Sequence, residues 1–112
     1  MSYFNEVCEY NVTENFSSVY SFNDSIESFG QAKEDVCKVP NVDEPNINNC
    51  NLGWDEGKKN QTTEQVKASL CIHKCCNTGF DGEKLGESPT FYCDMAFKAG
   101  QAIRKGYNAG KA

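Results

Sequence analysis

Apolar residues recur along most of this chain at intervals of three and four. Phe4, Val7 and Cys8 are followed by Val12, Phe16, Val19 and Tyr20, a spacing that predicts helix rather than strand. Asn, Ser and β-branched residues weaken this first helix and favour a break between Asn11 and Asn15. Asp24 then stands three residues before Glu27 as a capping box, with Ile26, Phe29, Ala32, Val36 and Cys37 along one face and Pro40 as the stop. From Lys38 to Asn60 the pattern disappears. The stretch KVPNVDEPNINNCNLGWDEGKKN holds two prolines, six asparagines and two glycines, which predicts a long irregular loop over 38–60.

Periodicity returns after Asn60. Thr62 or Thr63 caps a third helix expected to run to about Cys76, with Val66, Leu70 and Cys71 inward. NTGFDGEKLGE reads as a glycine-rich turn, and Ser88-Pro89 opens a last helix. Phe91, Met95, Ala99, Ile103 and Tyr107 repeat every fourth residue there, with fraying expected from Gly106 to Gly110. Strand signals are weak throughout. The fold class expected is all-α: a single disulfide-stapled domain over 1–112, with about four helices.

Composition supplies the reason for staples. At 112 residues and a mean hydropathy of −0.64, the core is modest. Cys8, Cys37, Cys50, Cys71, Cys75, Cys76 and Cys93 are spread along the chain, as disulfides of an oxidising compartment are. Sequons at Asn11, Asn15, Asn23 and Asn60 agree with a secreted glycoprotein. No run is long enough to cross a membrane, and a secretory signal peptide is expected to have been removed. Eleven basic against sixteen acidic residues give a net charge of −5, which argues against a nucleic-acid partner. Seven cysteines leave one sulfur over, either a thiol or the link of a disulfide-bonded dimer.

The segment LCIHKCCNTGF, residues 70–80, concentrates the candidate chemistry. Cys71, His73, Cys75 and Cys76 are zinc-type ligands. On one continuous helix, however, His73 projects about 200° from Cys71, so four ligands do not converge and no metal is expected. Vicinal Cys75 and Cys76 are too strained to bond each other and should reach different partners, Cys93 being the natural one for either. His73, beside Cys76, and Asp94, beside Cys93, are a candidate general-base pair if Cys76 and Cys93 join two antiparallel helices.

The words HKCC at 73–76 and CDMA at 93–96 resemble those of secreted phospholipases A2. In that family the histidine lies three residues before a bridged cysteine, and an aspartate follows the partner cysteine on an antiparallel helix. The resemblance implies a lipid hydrolase with His73 and Asp94 as the catalytic dyad. It also implies calcium as cofactor, LGWDEGKK at 52–59 lying where the calcium loop would be. Lys74 stands where the family carries a calcium-binding aspartate. Without the resemblance no cofactor is called for.

Three classes of function fit these features. The first is a non-catalytic binding or effector protein, toxin-, inhibitor- or signal-like, acting on an extracellular protein target. Its surface would be the 38–60 loop, with Trp54, Asp55 and Lys74 as candidate binding residues. The second is a carrier of small apolar ligands, with a cavity among Phe16, Phe29, Leu70, Phe91 and Met95. The third is the phospholipase-like hydrolase, active or decayed.

Overall fold

The computed structural model describes residues 32–86 and 90–112. The expected first helix over residues 4–20, the part of the second expected helix before Ala32, Cys8, three of the four sequons and the Ser88-Pro89 opening lie outside these. Of the second helix the described part is helical only over Lys33–Val36, Ala32 being extended. The described residues form five α-helices and no strand: α1 Lys33–Val36, α2 Ile47–Lys58, α3 Thr63–Leu70, α4 Lys74–Asp81 and α5 Phe91–Lys111. The mainly helical, disulfide-stapled architecture is therefore the one that periodicity and cysteine content imply.

The long loop is shorter than its composition suggests. After α1 the chain turns through a cis Val39–Pro40 bond and a 3-10 turn at Glu44–Asn46, then enters α2 over twelve residues. Asparagine and glycine are poor helix formers, but intrinsic propensity is a weak term beside packing. Two features override it. Cys50 is fully buried and bridged to Cys37. Ile47 and Trp54, one turn to either side of Cys50, pack on a cluster of Val36, Cys37, Val42, Ala102 and Ala109. Asn60 ends the helix at φ 64°, a left-handed conformation that asparagine tolerates.

The third expected helix is two. Thr62 accepts from the Gln65 N–H at 3.1 Å and Gln65 returns the bond at 2.8 Å, a reciprocal cap for α3. That helix ends at Leu70. Cys71 and Ile72 are not helical, and α4 starts afresh at Lys74 with His73 as its cap. Gly82, at φ 74°, closes α4 with its N–H bonded to the Gly79 carbonyl and that of Glu83 to Thr78.

Helix α5 is the axis of the fold. Thr90 caps it by accepting from the Cys93 N–H at 3.1 Å, and it continues unfrayed through Gly106 and Gly110 to Lys111. Met95, Ala99, Ile103 and Tyr107 are buried as their spacing requires. Glycines on both partners let α2 and α5 touch backbone to backbone. A Cβ on Gly53 would stand 2.0 Å from the Ile103 carbonyl oxygen, and one on Gly106 would stand 1.9 Å from that of Cys50. Gly57 meets Tyr107 and Gly110 meets Trp54 one turn on, so residue numbers rise together and the two helices run parallel. The α4–α5 crossing repeats the device, with Gly79 against Phe97 and Gly100 against Cys76. Small residues four apart permit this approach.

Polar groups lock the remaining segments onto α5 and onto α4. Lys98 is 3% exposed and holds the Asp43 carboxylate at 2.9 Å, pinning the 3-10 turn. The Tyr107 hydroxyl donates to the Gln61 carbonyl at 2.6 Å across 46 residues. On α3, Lys67 reaches both carboxylate oxygens of Asp81 at 3.0 Å, a bond that raises the lysine pKa.

Candidate functional site

Two places collect the residues singled out by sequence. The first lies where α4 and α5 begin. Since α3 stops before Cys71, that residue folds back onto Cys76 in the first turn of α4, five positions on. Cys75, one position earlier, faces α5 and bonds Cys93 in its first turn. The vicinal cysteines thus take different partners, and Cys93 is one of them. The link to α5 is Cys75–Cys93 rather than Cys76–Cys93, and α4 runs parallel to α5: from the bridge, Phe80 leads on to Arg104 and Tyr107. A broken rather than continuous helix accounts for both differences.

His73 is held by this geometry in a structural task. Its Nδ1 accepts from the Cys75 N–H at 3.0 Å and caps α4. Nδ1 as acceptor commits that nitrogen's lone pair to the cap. Base chemistry at Nδ1 therefore begins with loss of the cap. Asp94 follows the bridge in α5, where burial pushes its carboxyl above the ordinary value while Lys98 opposes the shift. Lys74 is exposed on an open groove of about 380 Å³ that it shares with Cys75, Thr78, Lys84, Leu85, Gly86 and Cys93. Ile72 and Tyr92, 58% and 53% exposed, stand beside the two bridges.

The second place is the outer face of α2. Trp54 is half-buried, its ring seated on the Cys37–Cys50 cluster. The ammonium groups of Lys33 and Lys58 each lie 5.2 Å from the ring centroid, within the range of cation–π attraction. Asp55 binds Lys33 at 2.9 Å. Trp54 is neither a sealed core plug nor a loop residue: it is an aromatic ring fixed on a rigid helix, clasped by cations and bordered by a carboxylate. Trp54 and Asp55 come together here, while Lys74 belongs to the groove at the first place. Lys58 reaches the ring because 47–58 is helical, which sets it one turn after Trp54; Lys33 is brought in by the Cys37–Cys50 bridge and α1.

Six of the cysteines are consumed in three bridges, Cys37–Cys50, Cys71–Cys76 and Cys75–Cys93. Among the described residues no group of three His, Cys, Asp or Glu side chains is disposed to hold a metal ion, and no helix is long and apolar enough to cross a membrane. Comparison with protein-family models, with curated proteins and with solved structures found no match.

Proposed function

We propose that this chain is a small secreted recognition protein that binds an extracellular macromolecular target without catalysis, with Trp54 as its anchor. The observation that carries the proposal is the setting of that indole. It is held by Lys33 and Lys58, backed by the Cys37–Cys50 cluster and bordered by Asp55. Binding energy at protein interfaces concentrates in such aromatic anchors rimmed by polar groups. A ring already fixed in the free protein also loses little entropy on binding. Three disulfides in a modest domain support a life in an oxidising compartment.

The test is a titration of fluorescently labelled protein onto intact cells and arrayed extracellular proteins. Saturable binding is expected, weakened about tenfold or more by Trp54→Ala, with the helical circular dichroism retained. Binding indifferent to Trp54→Ala would count against the proposal. So would calcium-dependent release of fatty acid from phospholipid vesicles that His73→Gln abolishes.

A further inference from the structure

The three bridges differ in what surrounds their sulfurs. Cys37 and Cys50 are 5% and 0% exposed, and Cys71 and Cys76 are 4% and 3% exposed. Cys75 and Cys93 are only partly buried and form a wall of the groove that Lys74 and Lys84 also line. Both cysteines lie in the first turn of a helix, α4 for Cys75 and α5 for Cys93. Positive potential at a helix start stabilises a thiolate, and so do neighbouring lysines. In a chain of net charge −5, two lysines at an accessible disulfide are a local reversal of sign.

We propose that Cys75–Cys93 is a thiol-exchange site, at which small anionic thiols enter the Lys74–Lys84 groove and open the bridge. The two sulfurs are not equivalent. Lys74 directly precedes Cys75, whereas Asp94 directly follows Cys93 and opposes negative charge there. Cys75 is therefore the better leaving thiolate, and the incoming thiolate attacks the Cys93 sulfur. The Cys93–Cys75 bond breaks, a mixed disulfide forms on Cys93, and the electron pair leaves on Cys75. A second small thiolate can attack the external sulfur of that adduct, freeing the Cys93 thiolate. The two small thiols depart joined as their own disulfide, oxidised by the two electrons that the bridge takes up. In the absence of a second thiol, Cys75 attacks Cys93 and expels the first.

The fold permits this without global opening. Below the bridge, α4 and α5 remain in contact through Gly79 with Phe97, Gly100 with Cys76, and Phe80 with Tyr107. The Cys71–Cys76 bridge still ties the segment before α4 to that helix.

The experiment uses the native full chain in glutathione, quenched by acid at intervals, alkylated and mapped by protease digestion and mass spectrometry. Cys75–Cys93 is expected to open at least about tenfold faster than the two buried bridges, because exchange rates follow access and leaving-group stability. Glutathione should be found on Cys93 and the alkylating group on Cys75. The double variant Lys74→Gln, Lys84→Gln should slow both thiols through a less stabilised Cys75 leaving thiolate, and slow glutathione about threefold or more beyond 2-mercaptoethanol, which carries no charge besides its thiolate, through loss of local steering. Loss of all three bridges at one rate, earlier opening of a buried bridge, or glutathione on Cys75 would overturn the proposal. Equal slowing of both thiols by the lysine changes would overturn it too.

Discussion

Gly106→Ala separates two physical expectations for the end of α5. If the helix frayed at Gly106, as a glycine-rich end suggests, alanine would strengthen it by about 1 kcal/mol through propensity alone. In the folded chain the new Cβ would stand 1.9 Å from the Cys50 carbonyl oxygen and 2.8 Å from the Trp54 nitrogen, where real Cβ atoms keep at least 3.0 Å. Both neighbours are backbone of α2, so no side chain can turn aside, and the two helices must part by about 1 Å. A gap of that size forfeits a quarter to a half of each dispersion contact, so about 30 atom pairs at ~0.15 kcal/mol lose roughly 1–2 kcal/mol. Residual overpacking strain adds about 1–3 kcal/mol. After the propensity gain the net loss is about 1–4 kcal/mol, centred near 2.5, a large part of the 5–15 kcal/mol typical of a domain. Urea unfolding followed by circular dichroism is the assay; with a slope of about 1–1.5 kcal/mol/M the midpoint should fall by about 2 M. Gly86→Ala is the control, since its Cβ meets nothing within 4 Å, and it should change stability by less than about 0.5 kcal/mol. A Gly106→Ala midpoint equal to or above that of the parent would refute the reasoning.

Asp43→Ala removes the carboxylate that lies 2.9 Å from the Lys98 ammonium, itself 3% exposed, and should cost about 3 kcal/mol. In a urea double-mutant cycle, Lys98→Met combined with Asp43→Ala should recover part of that loss. Asp94 has a raised pKa owing chiefly to burial, so the folded state holds its proton more tightly than the unfolded state does. Its contribution is complete below the ordinary value of 3.8 and is lost as pH rises through the raised one. Asp94→Asn should therefore gain on the parent as pH is raised across that window, as thermal melts at a series of pH values would measure. The three bridges occupy six of seven cysteines, which leaves Cys8 as a thiol or a link to another chain. Ellman titration should find one thiol per monomer, or electrophoresis a dimer that reductant and Cys8→Ser both abolish; a thiol-free monomer would contradict the pairing.

Much of the fold was written locally. The four-residue repeat of Met95, Ala99, Ile103 and Tyr107 specified the buried face of α5, and Thr62 or Thr63 marked the start of α3, because helix period and capping act over neighbouring residues. The different destinations of Cys75 and Cys76 also followed from the strain of joining neighbours. Of the candidate sites, Trp54 and the Cys75–Cys93 region were visible as residue types without their surroundings.

Tertiary structure decided the rest. Ile47–Lys58 is helical because Gly53 and Gly57 lie against α5 and Cys50 is bridged. Gly106 and Gly110 read as punctuation in one dimension, yet in three they are points where α5 lies against the backbone of α2. The break at Cys71 to His73 sent Cys75 to Cys93, turned the His73 ring into a cap and set α4 parallel to α5. Lys33 came to Trp54 in the same way. Local sequence determines propensity and period, whereas these outcomes depend on long-range contacts whose energies exceed propensity and which no single segment encodes.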